Sequence, residues 1–173
     1  MINVAIRSAG YEQGKTTINN INFHIKSKEI VGLIGKNGAG KSTTIQTILQ
    51  TIPFFEGEIN IPTYGYVPER PIIYTYYTLR EHIHFLIELI GEDLWDNAIE
   101  LCKLFRLHDH LDEYPTSFSK GMQQKVMLIL AFTPNYSFYI LDEPFMGLDP
   151  QAIRRLIILL KERKEAGATI LIS

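Results

Sequence analysis

Eight consecutive residues, Gly35-Lys36-Asn37-Gly38-Ala39-Gly40-Lys41-Ser42, carry the densest chemical signal in the chain. They match G-x-x-x-x-G-K-S/T, a pattern suited to cradling phosphate. Its glycines let backbone N–H groups curl around phosphate oxygens without Cβ clashes, and a helix starting there turns its positive end toward the same oxygens. Backbone amides from Asn37 to Thr43 are the expected cradle. Lys41 can reach the β- and γ-phosphates of a nucleotide, and the Ser42 hydroxyl can ligate Mg²⁺. A second group, Phe138-Tyr139-Ile140-Leu141-Asp142-Glu143-Pro144, is an apolar run that closes on two carboxylates. Asp142 is placed to hold Mg²⁺ through a bound water, and Glu143, one step beyond, to orient an attacking water or accept its proton. The sequence lacks the guanine-reading N-K-x-D, which disfavours a GTPase.

Positioning these groups requires strands and helices in a definite order. Ile2 to Ile6 and Ile18 to Ile25 alternate with period two, separated by Gly10 and Gly14. Ile30 to Ile34 is a short apolar run that predicts a buried strand ending at Gly35, followed by a helix over Thr43 to Leu49. Thr78-Leu79-Arg80-Glu81 is a capping box, with apolar residues at helical spacing to Ile90 and a stop at Gly91. Further helices are predicted from about Leu94 to Phe105, Ser119 to Thr133 and Gln151 to Ala166, and buried strands at Phe138 to Leu141 and Ala168 to Ile172. A strand-and-helix α/β core with a helical insertion near residues 70 to 130 satisfies this order.

Composition narrows the classes. At 173 residues, 46% of them hydrophobic, the chain can bury the core of one domain. Its net charge of −2 argues against wrapping a nucleic acid. One cysteine excludes an intrachain disulfide and suits a reducing cytosol. The purest apolar stretch, Val126 to Phe132, is far shorter than the roughly 20 residues of a bilayer span, and the N-terminus does not read as a signal peptide.

Ser119-Lys120-Gly121-Met122-Gln123-Gln124, preceded by Phe118, resembles the LSGGQ signature of ABC ATPases in a variant form, and Gly147-Leu148-Asp149-Pro150 resembles their D-loop. With the loop at 35–42 as Walker A and Asp142-Glu143 as Walker B, four ordered motifs identify the chain as similar to ABC transporter ATP-binding subunits. The motif wording is most similar to Ecs-type bacterial transporters. The resemblance implies a P-loop NTPase core with an N-terminal antiparallel β subdomain and an inserted helical signature subdomain, one ABC domain over residues 1–173. It implies ATP and Mg²⁺ as ligands, Gly35, Asn37, Gly38, Ala39, Gly40, Lys41, Ser42 and Thr43 around the phosphates, Ser42 and Asp142 at the metal, and Glu143 as catalytic base with Lys41. Tyr11 lies 24 residues before Gly35, where the family places an aromatic that stacks on adenine. Ser119 can N-cap its helix and Gly121 lets a phosphate approach the first turn. In the family this second anion-binding end, with Gln123, serves the ATP of a second, head-to-tail ATP-binding subunit. The further implied partner is an integral membrane transporter subunit, with this chain cytoplasmic and peripheral on the inner face of the membrane.

Several features depart from the family or stand outside its motifs. The Q-loop glutamine is replaced by Glu69, which cannot donate a hydrogen bond when ionised, although it can bind metal or order water. The segment Asn60 to Gly65 is shorter than usual. Relatives continue past a Thr-Ile-Leu-Ile-Ser strand into a switch histidine, and the sequence reaches Ser173 before one. A domain cut off before that histidine is expected to bind nucleotide better than it hydrolyses it. Five of the nine tyrosines (Tyr64, Tyr66, Tyr74, Tyr76 and Tyr77) cluster before the helical insertion, where they either join the core or form a docking surface for the membrane subunit, a use to which Tyr is suited. His108 and His110 are expected in a solvated loop rather than at a metal, Lys161 to Glu165 on a solvated helix face, and Cys102 in a helix core. The competing readings are a soluble ABC ATPase acting on ribosomes or DNA, and a nucleotide-sensing module of low turnover.

Overall fold

The computed structural model describes residues 1–36 and 38–173. It divides into two compact units. The first comprises Met1–Tyr64, Ser137–Asp142 and Arg163–Ser173, and the second Gly65–Tyr136 and Glu143–Glu162.

In the first unit β1 (Ile2–Gly10) is the centre of an antiparallel sheet between β2 (Ile18–Ile25) and β4 (Phe54–Asn60). Ile2 faces Ile25 and Val4 faces Phe23 across the β1–β2 pair. The period-two pattern explains the layer: Ile2, Val4 and Ile6 are buried while Asn3, Ala5 and Arg7 between them are exposed. Helix α1 (Lys41–Ile48) packs on this sheet through Ile45 and Ile48, both fully buried. A parallel sheet follows the order β3 (Ile30–Gly32), β7 (Thr169–Ile172) and β6 (Phe138–Leu141), with Ile30 opposite Ile170 and Leu141 opposite Ile172. Strands this far apart in sequence pair in parallel because helices provide the crossovers.

One expectation fails here. The run Ile30 to Ile34 is not a buried strand: β3 is the sheet's edge, Ile30 is exposed and Ile34 is 96% exposed. An edge strand is paired and covered on one side only. Periodicity cannot distinguish that from a central position. β6, by contrast, is buried at all four residues, as its continuous apolar run predicts.

Strand β5 (Tyr64–Val67) leads from the first unit into the second. There the capping box forms as read: Thr78 Oγ1 accepts the Glu81 amide at 3.2 Å, and Glu81 accepts the Thr78 amide at 2.7 Å. It starts α2 (Leu79–Ile90), which ends at left-handed Gly91. The remaining helices are α3 (Trp95–Phe105), α4 (Lys120–Phe132) and α5 (Pro150–Glu165). The core of this unit joins Leu79 and Ile83 of α2 with Leu101, Cys102 and Phe105 of α3 and Val126, Leu128 and Ile129 of α4. Burial pushes the Cys102 thiol up to about 12, so it packs as a small apolar residue. His108–His110 form a 3₁₀ turn in which His110 Nδ1 lies 3.0 Å from Glu113. Among the described residues no cluster of His, Cys, Asp and Glu could hold a metal ion, and no helix is long and apolar enough to cross a membrane.

Phe105 is fully buried between helices of the second unit. Phe105→Ala should lower unfolding free energy by about 3–5 kcal/mol through lost transfer energy and an unfilled cavity. A urea midpoint unchanged from wild type would show that α3 is not packed as described.

Candidate functional site

The phosphate loop of the first unit links β3 to α1. Gly40 is the N-cap of α1 in left-handed conformation (φ 91°), and a Cβ there would lie 2.5 Å from Cγ2 of Ile18. Glycine is therefore required twice, by the backbone angle and by the neighbouring strand. The loop tightens through a bond from the Ala39 amide to the Lys36 carbonyl, 3.0 Å. Thr44 makes the first intrahelical bond, to Gly40 at 2.8 Å, so the amides of the turn before it face the loop rather than the helix. Lys41 curls back along the loop and donates to the Gly35 carbonyl at 3.0 Å. Gly35, Gly38 and Ala39 are exposed, as a phosphate cradle must be. Asn37 lies outside the described residues.

Three elements of this unit converge on one carboxylate. Asp142 emerges from β6 only 3% exposed, and its Oδ1 is 3.5 Å from the Ser42 hydroxyl of α1. That separation is long for a strong hydrogen bond between the two. The Ser173 hydroxyl, just past β7, donates to the same Oδ1 at 2.6 Å. Ser173 was not legible as a site residue, because nothing local links it to an aspartate 31 positions earlier. A buried carboxylate with hydroxyl partners is a hard oxygen donor set, which fits Mg²⁺ beside a phosphate cradle. Tyr11 is about half exposed, and its hydroxyl donates to Gln46 Oε1 of α1 at 2.8 Å and lies 3.3 Å from Thr43 Oγ1. The phenol is thereby anchored while its ring keeps an open face.

The other sequence-selected residues belong to the second unit. Glu143 is non-glycine yet left-handed (φ 48°), in a region sparsely used by such residues and typical of functional turns. Glu69 is exposed on a bend just beyond β5. Ser119 caps α4 by accepting the Met122 amide at 3.3 Å. Gln123, expected at a partner's nucleotide, uses its side-chain amide on the Pro115 carbonyl at 3.0 Å. Gly121 has a structural requirement beyond phosphate approach: a Cβ there would sit 2.4 Å from the Gly147 carbonyl oxygen of the D-loop.

The tyrosine cluster separates by burial. Tyr64 and Tyr66 are partly covered, whereas Tyr74, Tyr76 and Tyr77 are exposed, Tyr76 at 87%. The rings of Tyr77 and Phe85 each lie 5.5 Å from that of Tyr74. Beneath them, buried His82 holds the loop: its Nε2 accepts the Tyr74 amide at 3.0 Å and its Nδ1 donates to the Thr78 carbonyl at 2.8 Å. Those two bonds define the neutral ring's tautomer. The sequence placed His82 on a helix without revealing this role.

Comparison with known proteins agrees with the geometry. The family model "ABC transporter" matches residues 18–146. The uncharacterised ABC transporter ATP-binding protein YthP of Bacillus subtilis (strain 168) is 42% identical over 176 residues, covering 99% of this chain and 75% of its own. The ABC-type transporter ATP-binding protein EcsA of the same organism is 38% identical over 189 residues, covering 100% and 76%. A solved ATP-binding subunit of an ABC transporter superposes with a TM-score of 0.92 at 36% identity, over 100% of this chain and 79% of the other. The phosphate loop, the acidic strand end and the α/β core with its antiparallel sheet and inserted helices thus have one explanation: the chain belongs to the ABC transporter family, as a P-loop ATP-binding subunit with the family's capacity for ATP and Mg²⁺.

Proposed function

We propose that this chain hydrolyses MgATP as one of two head-to-tail ATP-binding subunits and passes the resulting motion to a separate integral membrane subunit. The observation that carries the reading is the approach of the Ser42 hydroxyl to buried Asp142 at the end of the phosphate loop. Amides from Asn37 to Thr43, with Gly35, Gly38, Ala39 and Gly40 leaving room, hold the phosphates, and Lys41 neutralises their charge. Tyr11 stacks on adenine. Ser42 and Asp142 hold Mg²⁺, which neutralises charge developing on the phosphate oxygens. Glu143 accepts the proton of a water attacking the γ-phosphorus as the bond to the bridging oxygen breaks and ADP leaves. Glu69 occupies the Q-loop place and orders water there. Ser119 and Gly121 act on the second subunit's nucleotide, and Gln123 steadies the turn before them.

Residues 1–173 serve as one ABC ATP-binding domain, with a helical subdomain at about 70–130. Exposed Tyr74, Tyr76, Tyr77 and Phe85 supply the apolar surface on which the membrane subunit docks. The chain is thereby peripheral on the cytoplasmic face of the membrane. Motif wording and similarity to EcsA support an Ecs-type system. In the full-length protein, isolation from detergent extracts should recover a multi-span membrane protein in fixed ratio. Recovery with ribosomes or DNA instead would overturn the transport role.

Two substitutions test the site. Glu143→Gln should retain ATP binding, accumulate an ATP-dependent dimer and slow turnover by about 10²–10⁴-fold, the usual worth of a general base. Undiminished steady-state hydrolysis would remove Glu143 from that role. Tyr11→Ala should weaken ATP binding by about 1–3 kcal/mol, a base-stacking contribution. Equal affinities by calorimetry would mean the ring does not touch adenine.

A further inference from the structure

We propose that Ser173 is a positioning residue for Asp142, holding its carboxylate in the orientation from which it and Ser42 can share a divalent cation. The proposal rests on the MgATP reading above and adds to it a residue that none of the four motifs contains.

Asp142 is buried, and two hydroxyls approach the same oxygen, Oδ1. They do so unequally. The Ser173 hydroxyl donates at 2.6 Å, a short bond of the kind a hydroxyl makes to a carboxylate. The Ser42 hydroxyl stands 3.5 Å away, too far to fix the carboxylate by itself. The strong bond therefore comes from the parallel sheet, and the loose approach from the first turn of α1. A carboxylate that serves a cation must keep its orientation while its remaining lone pairs face the ion or the water on it. A neighbour that holds the ligand without touching the ion does that work. Each carboxylate oxygen has two lone pairs, so Oδ1 can keep the Ser173 bond and still accept from a second donor.

The backbone prepares Ser173 for this role. Its amide donates to the Leu141 carbonyl at 3.0 Å, so one residue bonds Leu141 through its main chain and Asp142 through its side chain. The first of these bonds prolongs the parallel ladder in which Leu141 lies opposite Ile172. On the other edge of β7 the Leu33 amide donates to the Ile172 carbonyl at 2.7 Å. Ile170 and Leu171, just before, are fully buried. The hydroxyl is thus delivered by a strand that is paired on both edges and anchored in the core. A donor so held has little freedom to lose when it orients the carboxylate, which is what a fixed ligand position requires. Removing that hydroxyl leaves a buried carboxylate with a weaker set of donors, free to turn away from the place it shares with Ser42.

The test uses the full-length protein with Ser173→Ala, Ser173→Thr and Ser173→Val, and Asp142→Asn as the control. Thr and Val are close in shape and both suit a strand, so their comparison isolates the hydroxyl even where Ser173→Ala fails to fold. Calorimetry measures ATP affinity once with Mg²⁺ and once with EDTA, and the ratio of the two reports what the protein gains from the cation. That ratio should fall about tenfold in Ser173→Ala and Ser173→Val, as it does when a metal ligand loses the partner that orients it. Ser173→Thr should keep most of it. Affinity with EDTA should stay within about twofold of wild type throughout, because the phosphate loop itself is unchanged. A purely structural role would instead lower both affinities together and leave the ratio alone, and that result would overturn the proposal. So would equal ratios in Ser173→Thr and Ser173→Val. If Asp142→Asn loses the ratio while Ser173→Val keeps it, only the role of Ser173 falls. If Asp142→Asn also keeps it, the placing of the cation at Ser42 and Asp142 falls, and the role of Ser173 with it.

Discussion

A single buried carboxylate organises the first unit. Asp142 reaches the end of β6 almost out of contact with bulk water, where an ionised group needs partners of high polarity. Its described partners are two hydroxyls, delivered by different elements: Ser42 from the first turn of α1 and Ser173 from the end of β7. Three strands of the first unit contribute to that arrangement. β6 carries the aspartate, β7 lies beside it and carries a serine, and β3 leads through the phosphate loop to the helix bearing the other. Hydrophobic burial of β6 and β7 places the carboxylate, and the oxygen-rich surroundings suit it to a hard divalent cation.

The second unit follows a different logic, in which helix ends and turns carry the polar work. α2 begins at a reciprocal capping box and α4 at a serine cap, so each helix has a defined start. That precision matters at α4, because its first two turns meet the D-loop. Gly121 leaves room for the Gly147 carbonyl, and Lys125 donates to Asp149 Oδ2 at 2.7 Å, both from one helix face. The same economy appears at His82, which is buried yet fully engaged by backbone groups and holds an exposed aromatic loop in place. A cluster of tilted and edge-on aromatic rings needs such support if it is to meet a partner in one conformation.

Much of this is legible in the sequence. The phosphate loop, the acidic strand end, the capping box, the serine cap and the helix stops all depend on residues within a few positions of one another. The same holds for the buried strand at Phe138–Leu141, whose unbroken apolar run required cover on both faces. The apolar run at Ile30 misled because its neighbours, rather than its composition, put it at an edge. At Gly121 the sequence predicts room for a phosphate, and the fold adds a close backbone carbonyl as a second reason for glycine.

The sequence by itself determined the chemical pattern: which loop has the glycines and lysine suited to phosphate, which carboxylates stand at the strand end, and which family the motifs resemble. It could do so because backbone angles, helix caps and the order of side chains along a strand are set by local residue types. Tertiary structure alone decided that Ser173 meets Asp142, that Lys125 meets Asp149, and that the tyrosines divide into covered and exposed groups. Those outcomes depend on which strand lies beside which and on which helix face meets which loop. Such relations are fixed by burial summed over the whole unit, and no short window of sequence contains that sum.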